Sequence, residues 1–542
     1  MRPSRRDVLA SFLGSAVAAA ACRRAPPRPV PVSLTDDLSR LGHQLRGAPL
    51  PRAKEISRAR EVLVIGGGVA GLSAGWRLAA TGVDFELLEV DQTLGGTAQG
   101  GENAVSAFPW GAHYLPAPLS AQGPVPRLLG ELGLIEGSDD AGRPRFAEAA
   151  LVREPEERLF YRGLWTEGLY LRAGASQDDL AQLERFEAAM RELARARDSR
   201  GKKVFAVPTA SGSQESPWRE LDQQTMAQWL DAHGYTSPRL RWLVDYACRD
   251  DYGLEASGTS AWAALWYFAA RQTGDERSEG YLSWPEGNHH LVKALAAAIP
   301  VERRTRGALV HTVEQDEGGL WHAHAVDGAS GGPLHLTARQ VVLAVPRFVA
   351  RHVLASWRAS PPDFVTALDV GPWVVANVTL REAPPSRGFP LSWDNVLYES
   401  KSLGYVSATH QRQRARDEGP TVWTWYYPLT GPAKQERERL LSATAQDYAD
   451  VLVADLTRAH PGFDRFVTQV DVRRWGHAMV RPVPGLRASG ALEKAQASLG
   501  GSLHFAHTEL GGLALFEEAN HFGVRAAQAC LQALGRREES WL

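Results

Sequence analysis

Cysteine is nearly absent from this chain: Cys22, Cys248 and Cys530 are its only three. With no CxxC pair and no cluster at ligand spacing, neither a metal site nor an iron–sulfur cluster has a ligand set. The adjacent His289 and His290 form no HxxxH pair either. An excess of charge of one sign is also missing. Sixty Lys and Arg stand against 62 Asp and Glu, for a formal net charge of −2, with no large basic block. Nucleic acid is therefore not an expected partner. Long hydrophobic runs are lacking, because the apolar stretch 8–21 falls short of the roughly 20 residues of a spanning helix. There is no internal repeat. What the chain does have is length and aromatic rings. Its 542 residues suffice for two or three packed units, and 17 Trp, 13 Tyr and 16 Phe suit both a core and an aromatic-walled pocket.

The first 22 residues read MRPSRRDVLASFLGSAVAAAAC. Ser4, Arg5, Arg6, Asp7, Val8 and Leu9, followed by a modest apolar stretch, look like a twin-arginine export signal. The expectation is passage through the Tat machinery to the periplasm, folded and with cofactor loaded; a basic, unstructured tail is the alternative. Small residues precede Cys22, which leaves lipidation of Cys22 as a membrane tether, or simple signal cleavage, both open. Residues 23–31 read as a flexible stalk. Cys248 and Cys530 are expected as buried thiols, a bridge between them being the other outcome.

The densest information lies at 62–102, VLVIGGGVAGLSAGWRLAATGVDFELLEVDQTLGGTAQGGE. An apolar strand, 62–65, runs into Gly66, Gly68 and Gly71, and a helix pattern over 69–80 follows. Gly66 permits the tight turn, Gly68 the approach of backbone to phosphate, and Gly71 the packing of helix on sheet. The helix N-terminus then points its amides at a diphosphate. Glu89, 18 residues beyond Gly71, ends the next strand and is placed to accept hydrogen bonds from ribose hydroxyls. Strand, glycines, helix, strand and acid in this order predict a Rossmann-like dinucleotide-binding domain.

Six residues after Glu89 come Gly95 and Gly96. This acid, polar stretch and Gly-Gly resemble the amine oxidase and phytoene desaturase superfamily of FAD enzymes. Thr97 stands where that family usually has Arg. VVLAVP at 341–346 is similar to the family's strand returning to the FAD domain, and residues 503–534 to its final FAD strand and helix. The resemblance implies FAD, held without a covalent link because the loop at 473–485 has no cysteine. Its contacts would include Gly95, Gly96, Gly111, Ala112, Val310, Thr508, Glu509, Glu517 and Ala519, with Glu517 and Ala519 at the flavin's pyrimidine edge. Glu518 and His507 replace family glycines and would put charge and bulk beside the cofactor. The implied fold is α/β, an FAD-binding Rossmann-like domain interleaved with an α+β substrate domain. Segments 33–115, 291–350 and 471–542 would belong to the first, and 116–290 and 351–470 to the second.

Within that frame the sequence predicts an amphipathic helix at 33–47, helices at 178–197, 225–233, 238–245 and 289–298, and one long helix at 434–459. Strands are expected at 308–314, 320–326, 334–338, 373–380, 404–410 and 421–427. For the reacting centre, Trp475 is similar to a family Trp that packs near the flavin, with His477 two residues on; plain core packing and a structural histidine are the alternatives. Many amine oxidases carry a lysine that holds a water at flavin N5, and counting from Pro346 reaches Arg351 and His352 instead; a surface helix carrying both away from the flavin is the alternative. His113, after Trp110, Gly111 and Ala112, is a candidate for the pocket wall. Trp262, Trp266 and Tyr267 either wall a substrate channel or pack the core. Asp250 and Asp251 either attract a cation or pair with Arg249. The resulting expectation is an exported FAD-dependent oxidoreductase that takes hydride from the carbon of an amine C–N bond. A small molecule would be its substrate, and oxygen or a quinone its electron acceptor. A desaturase or isomerase of an apolar, isoprenoid-like substrate, and an FAD-bound protein without turnover, remain as alternatives.

Overall fold

A computed structural model of the protein describes residues 30–35, 41–117, 120–272, 280–412 and 418–542. The export-signal pattern, Cys22 and most of the stalk lie outside these described residues. Cys248 and Cys530 are both buried, free thiols.

Two sheets organise the chain. The smaller, of seven strands, grows around Arg58–Ile65. Residues 62–65 are wholly apolar and buried because both faces of this strand are covered. Phe85–Glu89 and Pro333–Leu343 flank it in parallel, and Leu503–Phe505 extends the parallel part beside Pro333–Leu343. Helices Val69–Ala79 and Phe516–Ala533 lie together on the sheet, joined by a buried hydrogen bond from Asn520 to the Ser73 hydroxyl at 2.8 Å.

The larger sheet runs Val32–Thr35, Val467–Val480, Val370–Leu380, Thr421–Pro428, Tyr405–Ser407, Asp394–Leu397, Glu157–Tyr161 and Leu164–Glu167. Its central strand, Val370–Leu380, is buried throughout. The period of two explains why. Val374, Ala376 and Val378 pack on Leu452 and Leu456 of helix Ala445–Ala459, whereas Trp373 and Val375 join Trp110, Tyr426 and Trp475 on the opposite face. A separate helical layer, Gln177–Arg195, Met226–Ala232, Pro238–Tyr252 and Ala261–Ala269, closes the second face of this half. The chain thus passes repeatedly between a Rossmann-like α/β unit and an α+β unit, and the ligand space lies where the two meet.

Several elements depart from expectation. The span 33–47 is helical only in part among the described residues: Val32–Thr35 is an edge strand paired with Val467–Val480, while Leu41 and Gly42 are helical and run into a short 3-10 turn, His43–Arg46. Residues 33–35 thus join the larger sheet, and the chain leaves that sheet only after Val480, later than the boundary at 471. The long helix at 434–459 is two, Ala433–Ser442 and Ala445–Ala459. Thr444 interrupts it by accepting the Asp447 amide while Asp447 accepts the Thr444 amide, a capping box that starts a new helix. The helix expected at 238–245 runs on to Tyr252, where Gly253 stops it in the left-handed conformation.

Candidate dinucleotide and substrate site

A cavity of about 1530 Å³ separates the two units. Gly66, Gly68, Glu89, Gly95 and Gly96 line one end of it. Gly66 has φ of 109°, and a Cβ there would sit 2.4 Å from the Ala344 carbonyl oxygen. A Cβ on Gly71 would sit 1.8 Å from the Gly66 carbonyl oxygen, so Gly71 shapes the turn from behind without reaching the cavity wall. No side chain caps helix Val69–Ala79, which leaves its first amides free for an anion. Glu89 accepts the Gly67 amide and, at 2.8 Å, the Asp91 amide; burial pushes its carboxyl up to about 7. Val310, Thr508, Glu509 and Ala519 lie on the same cavity. Glu509 takes the Arg347 amide at 2.6 Å through Oε1, while its buried Oε2, 3.8 Å from His507 Nδ1, has no hydrogen-bond partner among the described residues. Burial raises Glu509 to about 7. A glycine cradle, an uncapped helix start and an orphaned carboxylate oxygen fit a dinucleotide, whose diphosphate and hydroxyls would satisfy them.

Three residues expected at the cofactor face elsewhere. Gly111 lies behind the wall: a Cβ there would meet the Thr97 carbonyl oxygen at 2.1 Å, so its smallness serves that backbone crossing, and Ala112 alone reaches the cavity. Glu517 is buried at the start of helix Phe516–Ala533, off the cavity wall and within electrostatic reach of Arg271 and Asp251. Glu518 also turns away. Its oxygens accept the Thr209 amide at 2.5 Å and the Thr209 hydroxyl at 2.9 Å, tying that loop to the helix. His507 does line the cavity, and its Nδ1 accepts the Glu509 amide at 3.3 Å.

At the other end, Trp475, His477, Arg351 and His352 share the cavity wall. Trp475 donates from Nε1 to the Trp110 carbonyl at 2.6 Å, and the Arg473 guanidinium lies 4.1 Å from its ring centre. The His477 ring stacks on Phe348 at 4.1 Å. Burial, aided by Arg437 and Arg46, holds His477 down at about 3, so it is neutral at ordinary pH. His352 is lowered too, by burial first and then by Arg351. His113 sits next to the cavity, not on its wall. Its ring lies 4.8 Å from Tyr426, 5.0 Å from Tyr114 and 5.4 Å from Trp393, and burial lowers it to about 3. Trp266 is not brought to the site. It is fully buried among the helices and donates to the Ala206 carbonyl at 2.9 Å.

Sequence reasoning passed over Tyr426, Trp393 and Arg347. Tyr426 donates to the Gly111 carbonyl at 2.9 Å and so braces the segment that carries Ala112. Arg347 is buried beneath Glu509, its guanidinium 4.0 Å from the Phe505 ring centre. The alternation of Thr421–Pro428 was the available signal for Tyr426; for the other two only the fold supplies the neighbours.

Residues 64–132 match the family described as the NAD(P)-binding Rossmann-like domain. No curated protein matches the sequence. Among solved structures, putrescine oxidase bound to putrescine is similar at 18% identity and a TM-score of 0.63, over 88% of this chain and 99% of that one. Cyclohexylamine oxidase from Brevibacterium oxydans IH-35A is similar at 17% identity and a TM-score of 0.60, over 88% and 100%. The CLA-producing fatty acid isomerase from P. acnes is similar at 14% identity and a TM-score of 0.61, over 86% and 98%. The protein shares the interleaved two-domain fold of these amine oxidases and this isomerase.

Proposed function

We propose that the protein is an FAD-dependent oxidoreductase that removes hydride from the carbon beside an amine nitrogen. One observation carries this reading: the cavity that begins at the dinucleotide cradle ends at a wall of aromatic rings and neutral histidines. Burial keeps His477 and His507, on the wall, and His113, beside it, at about 3. Rings and neutral histidines on that wall favour the uncharged amine, whose lone pair stabilises the developing iminium, and the cation Arg351 beside them disfavours an ammonium. When bound, FAD supplies the hydride acceptor, with oxygen or a quinone as terminal acceptor. The chain's own residues bind and orient: Glu89 takes ribose hydroxyls, the start of Val69–Ala79 takes the diphosphate, and Trp475 and Ala112 bound the space for the flat ring.

A second reading has its own support. Arg351, Lys434 and Arg437 lie on the cavity wall together with Phe348 and Leu441. Cations beside apolar side chains suit the carboxylate of an apolar acid, the substrate type of a flavin isomerase or desaturase. Anaerobic flavin reduction decides between the two. Bleaching of the visible flavin band by a class of amines is expected. A yellow protein bleached by none of them sinks the amine reading, and a colourless protein that takes up no FAD sinks both. The twin-arginine pattern further supports export; replacing Arg5 and Arg6 by Lys is expected to retain the protein in the cytoplasm on cell fractionation.

A further inference from the structure

The outer strands of the Rossmann-like unit carry a set of histidines for which dinucleotide binding has no use. Strands Ala308–Gln315, Trp321–Asp327 and Pro333–Leu343 form an antiparallel meander in which His324 stands opposite Thr312 on one side and His335 on the other. His322, two residues before His324, shares its face. A register shift between Val310 and Thr312 brings His311 to the same group, its ring 6.4 Å from that of His324. Four of the sixteen histidines thus gather in one place, and none of the four lines the large cavity.

The rings touch in series. His322 Nε2 lies 3.1 Å from Asp316 Oδ2, His322 Nδ1 lies 2.9 Å from His335 Nε2, and the His335 ring stacks on His324 at 4.4 Å. A carboxylate only accepts, so His322 carries its proton on Nε2, and its bare Nδ1 accepts from His335. Nδ1 of His335 and Nδ1 of His324 are then left over. Both are buried, in residues 7% and 6% exposed, and neither has a hydrogen-bond partner among the described residues. They are basic lone pairs shut off from water. Charging both His322 and His335 would set two N–H groups against each other across 2.9 Å, so the pair cannot keep this arrangement in acid.

A strap without regular structure, residues 51–57, covers the stack. The Ser57 amide donates to the His335 carbonyl at 2.8 Å, the His335 amide to the Ser57 hydroxyl at 3.3 Å, and His311 Nε2 to the Pro51 carbonyl at 3.2 Å; Arg52 pairs with Glu314 at 2.7 Å. The charged groups around the rings are Arg52 from the strap, Glu314 from the first strand, Asp316 from the turn after it and Arg358 from helix Ala355–Arg358, which donates to the Thr312 hydroxyl at 2.8 Å. Lys54 and Glu55 are exposed. Burial lowers His311 and His335 and takes His324 down to about 4; Arg358 and Arg52 add to this at His311, His322 at His335, and His335 and Arg52 at His324. The Glu314 carboxylate and the Lys54 and Glu55 carbonyls favour a proton on His335 and are outweighed. Just upstream of the strap, the same chain makes the turn His43–Arg46, which packs on helix Arg347–Val353 and puts His43, Leu45 and Arg46 on the wall of the large cavity.

We propose that His311, His322, His324 and His335 form a proton-operated latch that holds the strap 51–57, and with it the turn His43–Arg46 at the cavity, only while the rings are neutral. Taking up protons lifts the strap and loosens the turn. Linkage sets the direction. Histidines held below their ordinary value bind protons more weakly with the strap down than with it raised. Closure is therefore full above the ordinary value of 6.5 and is lost as pH falls from there toward about 4. Asp316, held low by its hydrogen bond to His322, weakens the closure further only in stronger acid. Access to the cavity is thereby tied to the acidity of the surroundings, whichever substrate the cavity takes.

The test is amide hydrogen exchange of the purified full-length protein at about pH 7.5 and about pH 5, with rates corrected for the intrinsic pH dependence of exchange. Opening of 51–57 and of His43–Arg46 is expected to rise roughly tenfold or more in acid, while the central strand Val370–Leu380 stays protected at both values. The His324→Phe, His335→Gln double variant keeps a stacking ring and a donor toward His322 but removes two proton acceptors. There the rise should fall to about twofold, with a melting temperature at about pH 7.5 close to the parent's. Arg52→Ala cuts a tie of the strap without touching the rings, so it should raise exchange of 51–57 at both values and leave the acid response in place. The parent decides the first point without any variant: equal opening at the two values overturns the latch, as does a rise that Val370–Leu380 shares. A rise that survives the double variant, or that Arg52→Ala abolishes, places the sensor elsewhere and overturns it too. A rise confined to 51–57, with the turn unchanged, overturns the connection to the cavity.

Discussion

The two ends of the large cavity are made of different material. The dinucleotide end is mostly backbone: three glycines, an uncapped helix start and a Gly-Gly turn, all within 66–96, with Glu89 oriented by the Gly67 and Asp91 amides. The other end is side chains drawn from separated segments, Trp110, Arg351, His352, Trp475 and His477, with Tyr426 and His113 behind them. A backbone cradle binds what every dinucleotide shares, and its shape is set by where a Cβ is forbidden. A wall of side chains can be re-lined one residue at a time without disturbing the fold. The fold shared with amine oxidases and a fatty acid isomerase is compatible with this division, since one fold can carry reacting ends that each chain builds for itself.

The sharpest way to break the contrast is at the backbone. Gly71→Val would drive a side chain into the Gly66 carbonyl, already 1.8 Å from an ideal Cβ. A protein that purifies without flavin and takes none up is expected, by visible absorbance, with circular dichroism reporting whether the fold persists. Next in size is Trp266→Ala, outside both ends. Truncating this buried ring should cost about 3–5 kcal/mol of stability by denaturant unfolding, while flavin reduction of the folded fraction keeps its rate; a selective loss of that rate would return Trp266 to the pocket. Glu89→Ala removes one charged acceptor from an otherwise intact cradle. FAD affinity should fall by about 1.5–3 kcal/mol, read by fluorescence titration, well short of the Gly71→Val effect.

The smallest effect concerns the acidic side. Glu157 has its carboxyl raised to about 7 by burial, with Glu156 adding to it. A carboxyl raised in the folded state contributes stability that is full below its unfolded value and lost as pH climbs through the folded one. Glu157→Gln removes that loss. The variant should melt higher than the parent at about pH 8, by the equivalent of about 1–2 kcal/mol, and not at about pH 4.

Much of this was legible in the chain. The apolar residues 62–65, the spacing of Gly66, Gly68 and Gly71, and Glu89 18 residues on describe a local object, and the structure places them around one cavity end as that object requires. Strands Ala308–Gln315, Trp321–Asp327 and Thr421–Pro428 follow from alternation alone. The edge strand Val32–Thr35 was not legible, because its partner lies more than four hundred residues away, at Val470–Arg473 in register. Nor was the direction of Glu517 and Glu518. Both open the same helix, yet one faces Arg271 and the other Thr209, and neither faces the cavity.

Trp266 and Trp475 state the division most plainly. Trp266 stands in an aromatic-rich stretch and Trp475 beside two arginines, yet the first packs among helices and the second walls the cavity. The sequence by itself determined the dinucleotide cradle and the alternation of α/β and α+β segments, because backbone conformation and periodicity depend on near neighbours. Only the tertiary structure decided which rings meet the substrate space and that Asp394 stands beside Glu157, because side-chain surroundings are set by segments brought together from far along the chain.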